Sequence, residues 1–110
     1  MSADDIKYII VQCLSEGQGN GHPGEMSTRV DDWHFHVRRD GTMIQNRMLL
    51  EVGRHSVRYN RHSIGICYDG VAEVPGRRGC PSDPMSVRQK SRITDLVTIL
   101  HKLFPEARVI

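Results

Sequence analysis

The feature that most constrains this fold is an amphipathic segment near the end of the chain. Apolar residues recur there at spacings of three and four, at Ile93, Leu96, Val97, Leu100, Leu103 and Phe104. This spacing predicts a helix of about five turns that ends near Phe104-Pro105, with the apolar stripe in the core. Asp83-Pro84 is typical of a helix start, because an N-cap residue is followed by proline.

The other apolar segments are short and predict strands. Residues 6–14 contain the run Tyr8-Ile9-Ile10-Val11, which is typical of a strand buried on both faces. Residues 33–38 alternate between apolar and polar and predict a half-buried strand. One face of that strand should carry Trp33, Phe35 and Val37, and the other His34, His36 and Arg38.

Turn signals connect these segments into a sheet. Asp40-Gly41 predicts a hairpin turn, with a returning strand over residues 43–46. Residues 63–68 and 107–110 predict two further strands, while residues 15–29 and 71–83 are rich in glycine and proline and predict loops. The predicted fold class is α/β, a small mixed central sheet with one principal C-terminal helix packed on it. Residues 1–110 should form a single domain.

Composition and charge narrow the expected partners and location. A formal charge of +2 gives no basic excess that would argue for nucleic-acid binding, so nucleic acid is not an expected partner, although this charge alone does not exclude it. No apolar run is long enough to span a membrane, and the acidic start Asp4-Asp5 does not resemble a signal peptide. Cys13, Cys67 and Cys80 are widely spaced and odd in number, which predicts buried thiols in a reducing compartment. We therefore expect a cytoplasmic location.

Several stretches together resemble the zinc-dependent N-acetylmuramoyl-L-alanine amidases of the bacteriophage-lysozyme and peptidoglycan-recognition type. The matching stretches are residues 8–13 (YIIVQC), 33–42 (WHFHVRRDGT), 51–55 (EVGRH), 60–67 (NRHSIGIC) and the helix ending in Phe104-Pro105. The resemblance covers most of the chain. It implies a central sheet flanked by helices, with a groove over one face that binds peptidoglycan fragments.

The resemblance also implies a zinc ion held by two histidines and a cysteine, with water as the fourth ligand. The first histidine is expected where this chain has Gln12, and an assisting tyrosine where it has Trp33. A neutral amide oxygen is a poor replacement for imidazole on zinc. The second histidine and the cysteine are expected beyond the position of Ile110. We therefore predict no catalytic residues, no metal ligands and no cofactor, with zinc only if the chain is a divergent amidase.

The histidines leave alternatives open. His34 and His36 share a strand face and are either two ligands of a replacement metal site or one structural and one solvent-facing histidine. The second alternative is favoured, and the resemblance supports a structural role for His34. His55 aligns with a groove histidine and is either a ligand contact or simply solvent-exposed. A cysteine nucleophile at Cys13 or Cys67 is disfavoured, because both lie in apolar strands.

These observations lead to one preferred function and two alternatives. The preferred interpretation is a catalytically inactive amidase-fold protein, of phage or prophage origin, that binds or sequesters a muropeptide or a nucleotide-like signal molecule. The expected ligand-binding residues are Gln12, Trp33, His34, His55, Asn60, Arg77 and Arg78. The first alternative is a divergent or truncated zinc amidase that hydrolyses peptidoglycan. The second is an interaction module that forms homo-oligomers through a sheet surface left open by a missing helix.

Overall fold

The computed structural model describes residues 1–14, 26–70 and 85–110. These ranges contain five strands, β1 (Tyr8–Leu14), β2 (Phe35–Val37), β3 (Met43–Gln45), β4 (Ser63–Asp69) and β5 (Arg108–Val109), and one α-helix, α1 (Val87–Leu103). The strands form one mixed sheet in the order β3-β2-β4-β1-β5. Strand β4 is parallel to β1 and to β2, β5 is parallel to β1, and only β3 is antiparallel to its neighbour. The predicted fold class is confirmed.

The main core lies between the sheet and α1. In β1 and β4 successive side chains point to opposite faces of the sheet, so every second side chain points to the helix. The buried members of this core are Ile6, Ile9, Phe35, Val37, Ile64, Ile66, Tyr68, Ile93, Leu96, Leu100, Phe104 and Ala107. The helix stripe predicted from the sequence is thus confirmed, except that Leu103 is 54% exposed.

The start of α1 differs from the prediction. The N-cap is Ser86, whose hydroxyl accepts a hydrogen bond from the backbone N–H of Gln89 at 3.0 Å. The Gln89 side chain reaches back to the backbone N–H of Ser86 at 2.9 Å and completes a capping box. Asp83-Pro84 lies outside the described residues and is not the cap. Within the described ranges, no helix is long and apolar enough to cross a bilayer.

The β2–β3 hairpin follows the predicted Asp40-Gly41 turn. Gly41 has a φ of 88°, a conformation that favours glycine, and its N–H donates to the carbonyl of Arg38 at 2.9 Å. Strand β2 itself is not half-buried as predicted, because all three of its residues are buried. It lies between β3 and β4, with the main core on one face and a second, smaller core on the other.

The second core lies on the sheet face opposite α1, which we call the second face. It contains Ile10, Trp33 and Cys67. Trp33 therefore does not share a face with Phe35 and Val37 as predicted. It precedes the strand, at the end of a short 3-10 turn (Val30–Asp32), where the pleat of β2 does not fix its direction.

Two histidines are buried in the second face, both with no exposed surface. The His34 Nε2–H donates to the carbonyl of Glu51 at 2.7 Å, and its Nδ1 accepts from the N–H of Gly65 at 3.1 Å. His55 lies edge-on to His34 with 5.5 Å between ring centroids, and against Trp33 with 5.0 Å. A Cβ on Gly65 would come within 2.7 Å of the His55 ring, so this glycine makes room for it.

The proton on His55 can be assigned from its neighbours. The Ser63 hydroxyl donates to the carbonyl of Tyr59 at 2.7 Å, so its oxygen accepts from the His55 Nε2–H at 2.9 Å. The His55 Nδ1 is then a lone-pair acceptor, and it is the one fully buried side-chain polar atom of the described residues without a partner. Burial lowers the pKa of His55 to about 4, and the neighbouring His34 adds to this effect. Burial also lowers the pKa of His34.

The cysteines differ in part from the expectation of free thiols. Cys67 is free and fully buried, as predicted. Cys13 is disulfide-bonded. Wide spacing along the sequence does not measure distance in the fold, which is why the sequence did not reveal this bond.

The buried histidines predict a loss of stability in mild acid. An unfolded histidine has a pKa near 6.5, so between that value and about 4 the unfolded chain binds a proton that folded His55 does not. The contribution of His55 to the free energy of unfolding is complete above its unfolded pKa of 6.5 and is lost as the pH falls towards about 4. From pH 7 to pH 5 we expect the free energy of unfolding to fall by about 2 kcal/mol from His55 alone. Urea denaturation at both pH values measures it.

Matched variants assign this pH dependence. His55→Gln is expected to be less stable at pH 7 but to show a smaller fall between the two pH values. His62→Asn removes an exposed histidine and should leave the fall unchanged. An equal fall in wild type and in His55→Gln would contradict the assignment.

The packing of Gly65 against His55 predicts a strong mutational coupling. Gly65→Ala should destabilise the fold by about 1–3 kcal/mol, because the new methyl group overlaps the imidazole. In a His55→Ala background the same change should cost much less, because the overlapping ring has been removed. Denaturation of the four proteins of this double-mutant cycle gives the coupling energy. A coupling near zero would show that the two residues do not contact each other in solution.

Candidate functional site

The parallel register places three side chains in one row on the second face. Gln12 of β1 pairs with Cys67 of β4, and Cys67 pairs with His36 of β2. This row, which we call the strand-end row, lies near the carboxyl ends of all three strands. In open sheets with parallel strands, ligands bind in the crevice outside these ends. The strand-end row is therefore the candidate site.

Gln12 is only loosely held in this row. Its side chain is half-buried, and its Nε2–H donates to the carbonyl of Cys13 at 3.4 Å, which is a long hydrogen bond. No other side-chain hydrogen bond of Gln12 is found among the described residues. Its amide can therefore turn towards a ligand at little cost, as a ligand-binding residue requires.

His36 is bonded to a carboxylate that the sequence analysis did not identify. Its Nε2 lies 2.7 Å from Oδ1 of Asp69, the last residue of β4. Side-chain exposure is 10% for His36 and 40% for Asp69, so the pair borders on solvent. The two residues are 33 positions apart in sequence. The available signal was that Asp69 directly follows the predicted strand at 63–68 and that His36 lies in the second half of the predicted strand at 33–38. His34 and His36 were expected to leave one ring facing solvent, and in the structure both are buried.

Three of the expected ligand-binding residues are fully buried, so a ligand at the surface would not contact them in this structure. Trp33, His34 and His55 have no exposed surface. The indole N–H of Trp33 donates to the carbonyl of Ser27 at 3.2 Å. The structural role expected for His34 agrees with its two hydrogen bonds to backbone groups. His55 is neither a groove contact nor solvent-exposed, because the glycines beside it allow the ring to enter the second face.

Of the remaining expected residues, one stabilises a local turn and two lie outside the described residues. Asn60 is half-buried, and its Oδ1 accepts from the backbone N–H of Ser56 at 2.8 Å, so it holds a local turn. Arg77 and Arg78 lie outside the described residues, as does most of the predicted loop at 15–29. Of the five expected residues that the structure describes, Gln12 alone lies in the strand-end row, and it is half-buried.

The donors among the described residues do not by themselves form the zinc site that the resemblance implies. In the described ranges, no three histidine, cysteine, aspartate or glutamate side chains converge well enough to hold a metal ion. Gln12 offers an amide, and Trp33 has only an N–H that is already donated. Burial raises the pKa of the Cys67 thiol, and the charge of Asp69 adds to this effect, so Cys67 is neither a ready thiolate ligand nor a nucleophile.

A surface cavity of about 280 Å³ lies elsewhere, between the first turn of the chain and the end of α1. Its lining includes Ile6, Leu103 and Glu106, and none of the strand-end row. It does not bring together a nucleophile, a base or a set of metal donors. The strand-end row therefore remains the candidate site.

Comparison with known proteins identifies the sequence family that this chain matches. The sequence profile of the N-acetylmuramoyl-L-alanine amidase family, Amidase_2, matches residues 2–109. The endolysin of Enterobacteria phage T3 is 36% identical over 70 residues, which is 64% of this chain and 45% of that protein. The endolysin of Escherichia phage T7 is 34% identical over 70 residues, with the same coverage of 64% and 45%. This chain thus spans about half the length of the curated relatives it matches.

Solved structures agree on the fold. The endolysin amidase LysCS from Clostridium intestinale URNW superposes with a TM-score of 0.65 at 17% identity, over 96% of this chain and 68% of that chain. The amidase LysC from the same organism gives 0.65 at 18% identity, over 98% and 71%. These superpositions show a shared fold, and the profile match over residues 2–109 shows the family. The chain belongs to the N-acetylmuramoyl-L-alanine amidase family.

Proposed function

We propose that this chain binds a small ligand at the strand-end row and does not carry out zinc-dependent hydrolysis. The observation that supports the proposal is the donor set at Gln12, where an amide takes the place of the expected zinc-binding histidine. The neighbouring residues do not compensate, since no three metal-ligating side chains converge within the described residues. A retained scaffold with a half-buried amide at the expected metal-binding position is suited to binding without catalysis.

Two ligand classes fit this proposal, a peptidoglycan fragment and a nucleotide-like signal molecule. The first follows from family membership, since the family is defined by an activity on peptidoglycan linkages. The second depends on Arg77 and Arg78, which the structure does not describe. The disulfide at Cys13 also bears on the choice, because disulfides persist in oxidising compartments and are rare in the cytosol. It supports a muropeptide ligand, and the cytoplasmic location stays a prediction.

Binding at the strand-end row predicts a specific effect of Gln12. Calorimetry against a muropeptide set and a nucleotide set should detect one class at micromolar to high-micromolar concentration. Gln12→Ala should weaken that binding about fivefold to tenfold, the loss expected for one or two hydrogen bonds. Gln45→Ala is the matched control, because Gln45 is exposed on the edge strand β3 and away from the row. Absence of binding by both ligand sets would overturn the proposal.

The alternative function is a zinc amidase that hydrolyses peptidoglycan, and family membership favours it. In that case donors outside the described residues would complete the site. The two functions predict opposite metal contents. Binding without catalysis predicts far less than one zinc per chain by elemental analysis, and no release of stem peptide from peptidoglycan with zinc added. The Clostridium amidase LysC serves as the positive control. Stoichiometric zinc together with peptide release would establish the alternative.

A further inference from the structure

A fully buried glutamine stands in the apolar stripe of α1. Gln89 has no exposed surface and lies one turn before the core residue Ile93, on the side of the helix that faces the sheet. Burying an amide costs free energy unless its donors and acceptors find partners. An apolar side chain would fill the same space without this requirement, so the partners of Gln89 show what the amide is for.

The side chain of Gln89 makes four hydrogen bonds, which is the full capacity of an amide. Its Oε1 accepts from the backbone N–H of Ser86 at 2.9 Å and from the guanidinium of Arg39 at 3.0 Å. Its Nε2–H₂ donates to the backbone carbonyl of Asp69 at 2.8 Å and, in a longer bond, to that of Val37 at 3.4 Å. The oxygen therefore caps the helix, and the nitrogen holds the ends of β4 and β2.

The bonds from the amide nitrogen lie where the pairing of β2 with β4 ends. The last pair of that ladder is Val37 with Tyr68. The carbonyl of Asp69, one residue further along β4, lies beyond the ladder and accepts from Gln89. The side chain of the same aspartate accepts from His36 Nε2 at 2.7 Å. Gln89 therefore extends the connection between β2 and β4 to the residue whose carboxylate bonds His36.

Helix capping explains only half of this arrangement. A capping box works with either glutamate or glutamine at the third helical position, because the N-cap backbone N–H needs only an oxygen. A glutamate would also form a stronger, charge-assisted bond with Arg39. What a glutamate lacks is the donor that reaches the two strand carbonyls. The amide nitrogen at this buried position is thus accounted for by the strand ends and not by the cap.

We propose that Gln89 is a positioning residue for the strand-end row, which holds the end of β4 at the distance from β2 that the His36–Asp69 bond requires. The amide acts through the backbone carbonyls and does not touch a ligand itself, because it is fully buried. The inference deepens the proposed function and rests on it for its effect on binding, since a ligand would meet an edge whose spacing is fixed in advance. Its first test needs no ligand and is therefore independent of the proposed function.

Gln89→Glu in the full chain separates the two tasks of the side chain. It keeps an oxygen for Ser86 and Arg39 and removes the donor to the strand carbonyls, so the helix cap is retained. We expect the imidazole ¹⁵N resonances of His36 to shift in this variant, because the end of β4 is released. The ring of His34, which bonds other backbone groups, is the internal reference and should keep its resonances.

A control and a second variant complete the test. Ile93→Val loosens the packing of α1 without removing a hydrogen bond, so it should lower the urea midpoint and leave both histidine rings unchanged. A purely structural role of Gln89 predicts the same result for Gln89→Glu. Gln89→Met removes all four bonds without adding a charge and repeats the test if the glutamate variant does not fold. In the unmodified chain, the side-chain amide protons of Gln89 should exchange with solvent as slowly as the backbone amides of β4.

Several results would overturn the positioning role. It fails if His36 keeps its resonances in a folded Gln89 variant, if Ile93→Val shifts them equally, or if the Gln89 amide protons of the unmodified chain exchange freely. Calorimetry with a muropeptide is the second readout, and Gln89→Glu should bind it about threefold to tenfold more weakly. Equal binding by both proteins keeps ligand binding but overturns the positioning role. A shift of His36 in a chain that binds neither muropeptides nor nucleotides supports the positioning role and overturns the proposed function.

Discussion

The parallel pairing of β4 with both β1 and β2 is the constraint on which the rest of the structure depends. Because the three strands run in one direction, their carboxyl ends meet at one edge of the sheet. Alternation along β4 then sends Ile64 and Ile66 into the core under α1, and Cys67 and Asp69 to the second face. A slip of one residue would exchange the two sets, so the apolar core also fixes the register of the polar row.

Signals that are local in sequence predicted the fold well. The helix stripe, the apolar runs of β1 and β4 and the Asp-Gly hairpin each depend on neighbouring residues, and each was confirmed. The errors came where distant residues decide. Burial of both faces of β2 depends on β4, about 30 positions away, and on the second core. The helix start was misplaced because Asp83 and Ser86 are both good caps, and Ser86 also donates to the carbonyl of Arg39 at 2.7 Å.

The candidate site was predictable only in part, for a related reason. Histidine is usually classed as polar, and the sequence analysis placed His55 in a groove. Its burial requires a missing side chain at Gly65 and at Gly53, where a Cβ would lie 2.4 Å from its Nδ1. The spacing of these glycines along the chain does not show that both approach one ring. Gln12 was identified through the family resemblance, whereas Asp69 had no such guide and became visible only through its bond to His36.

The polar groups at the strand-end row differ in charge from those of a zinc site. A zinc site supplies positive charge and binds groups that bring lone pairs, such as the oxygen of an amide carbonyl. At this edge of the sheet the described residues instead offer hydrogen-bond acceptors, the amide oxygen of Gln12 and the carboxylate of Asp69, and the one ion pair found for Asp69 among them is with His36. The family scaffold therefore keeps this edge of its sheet, while the donor set there, within the described residues, differs from the zinc site that the family resemblance implies.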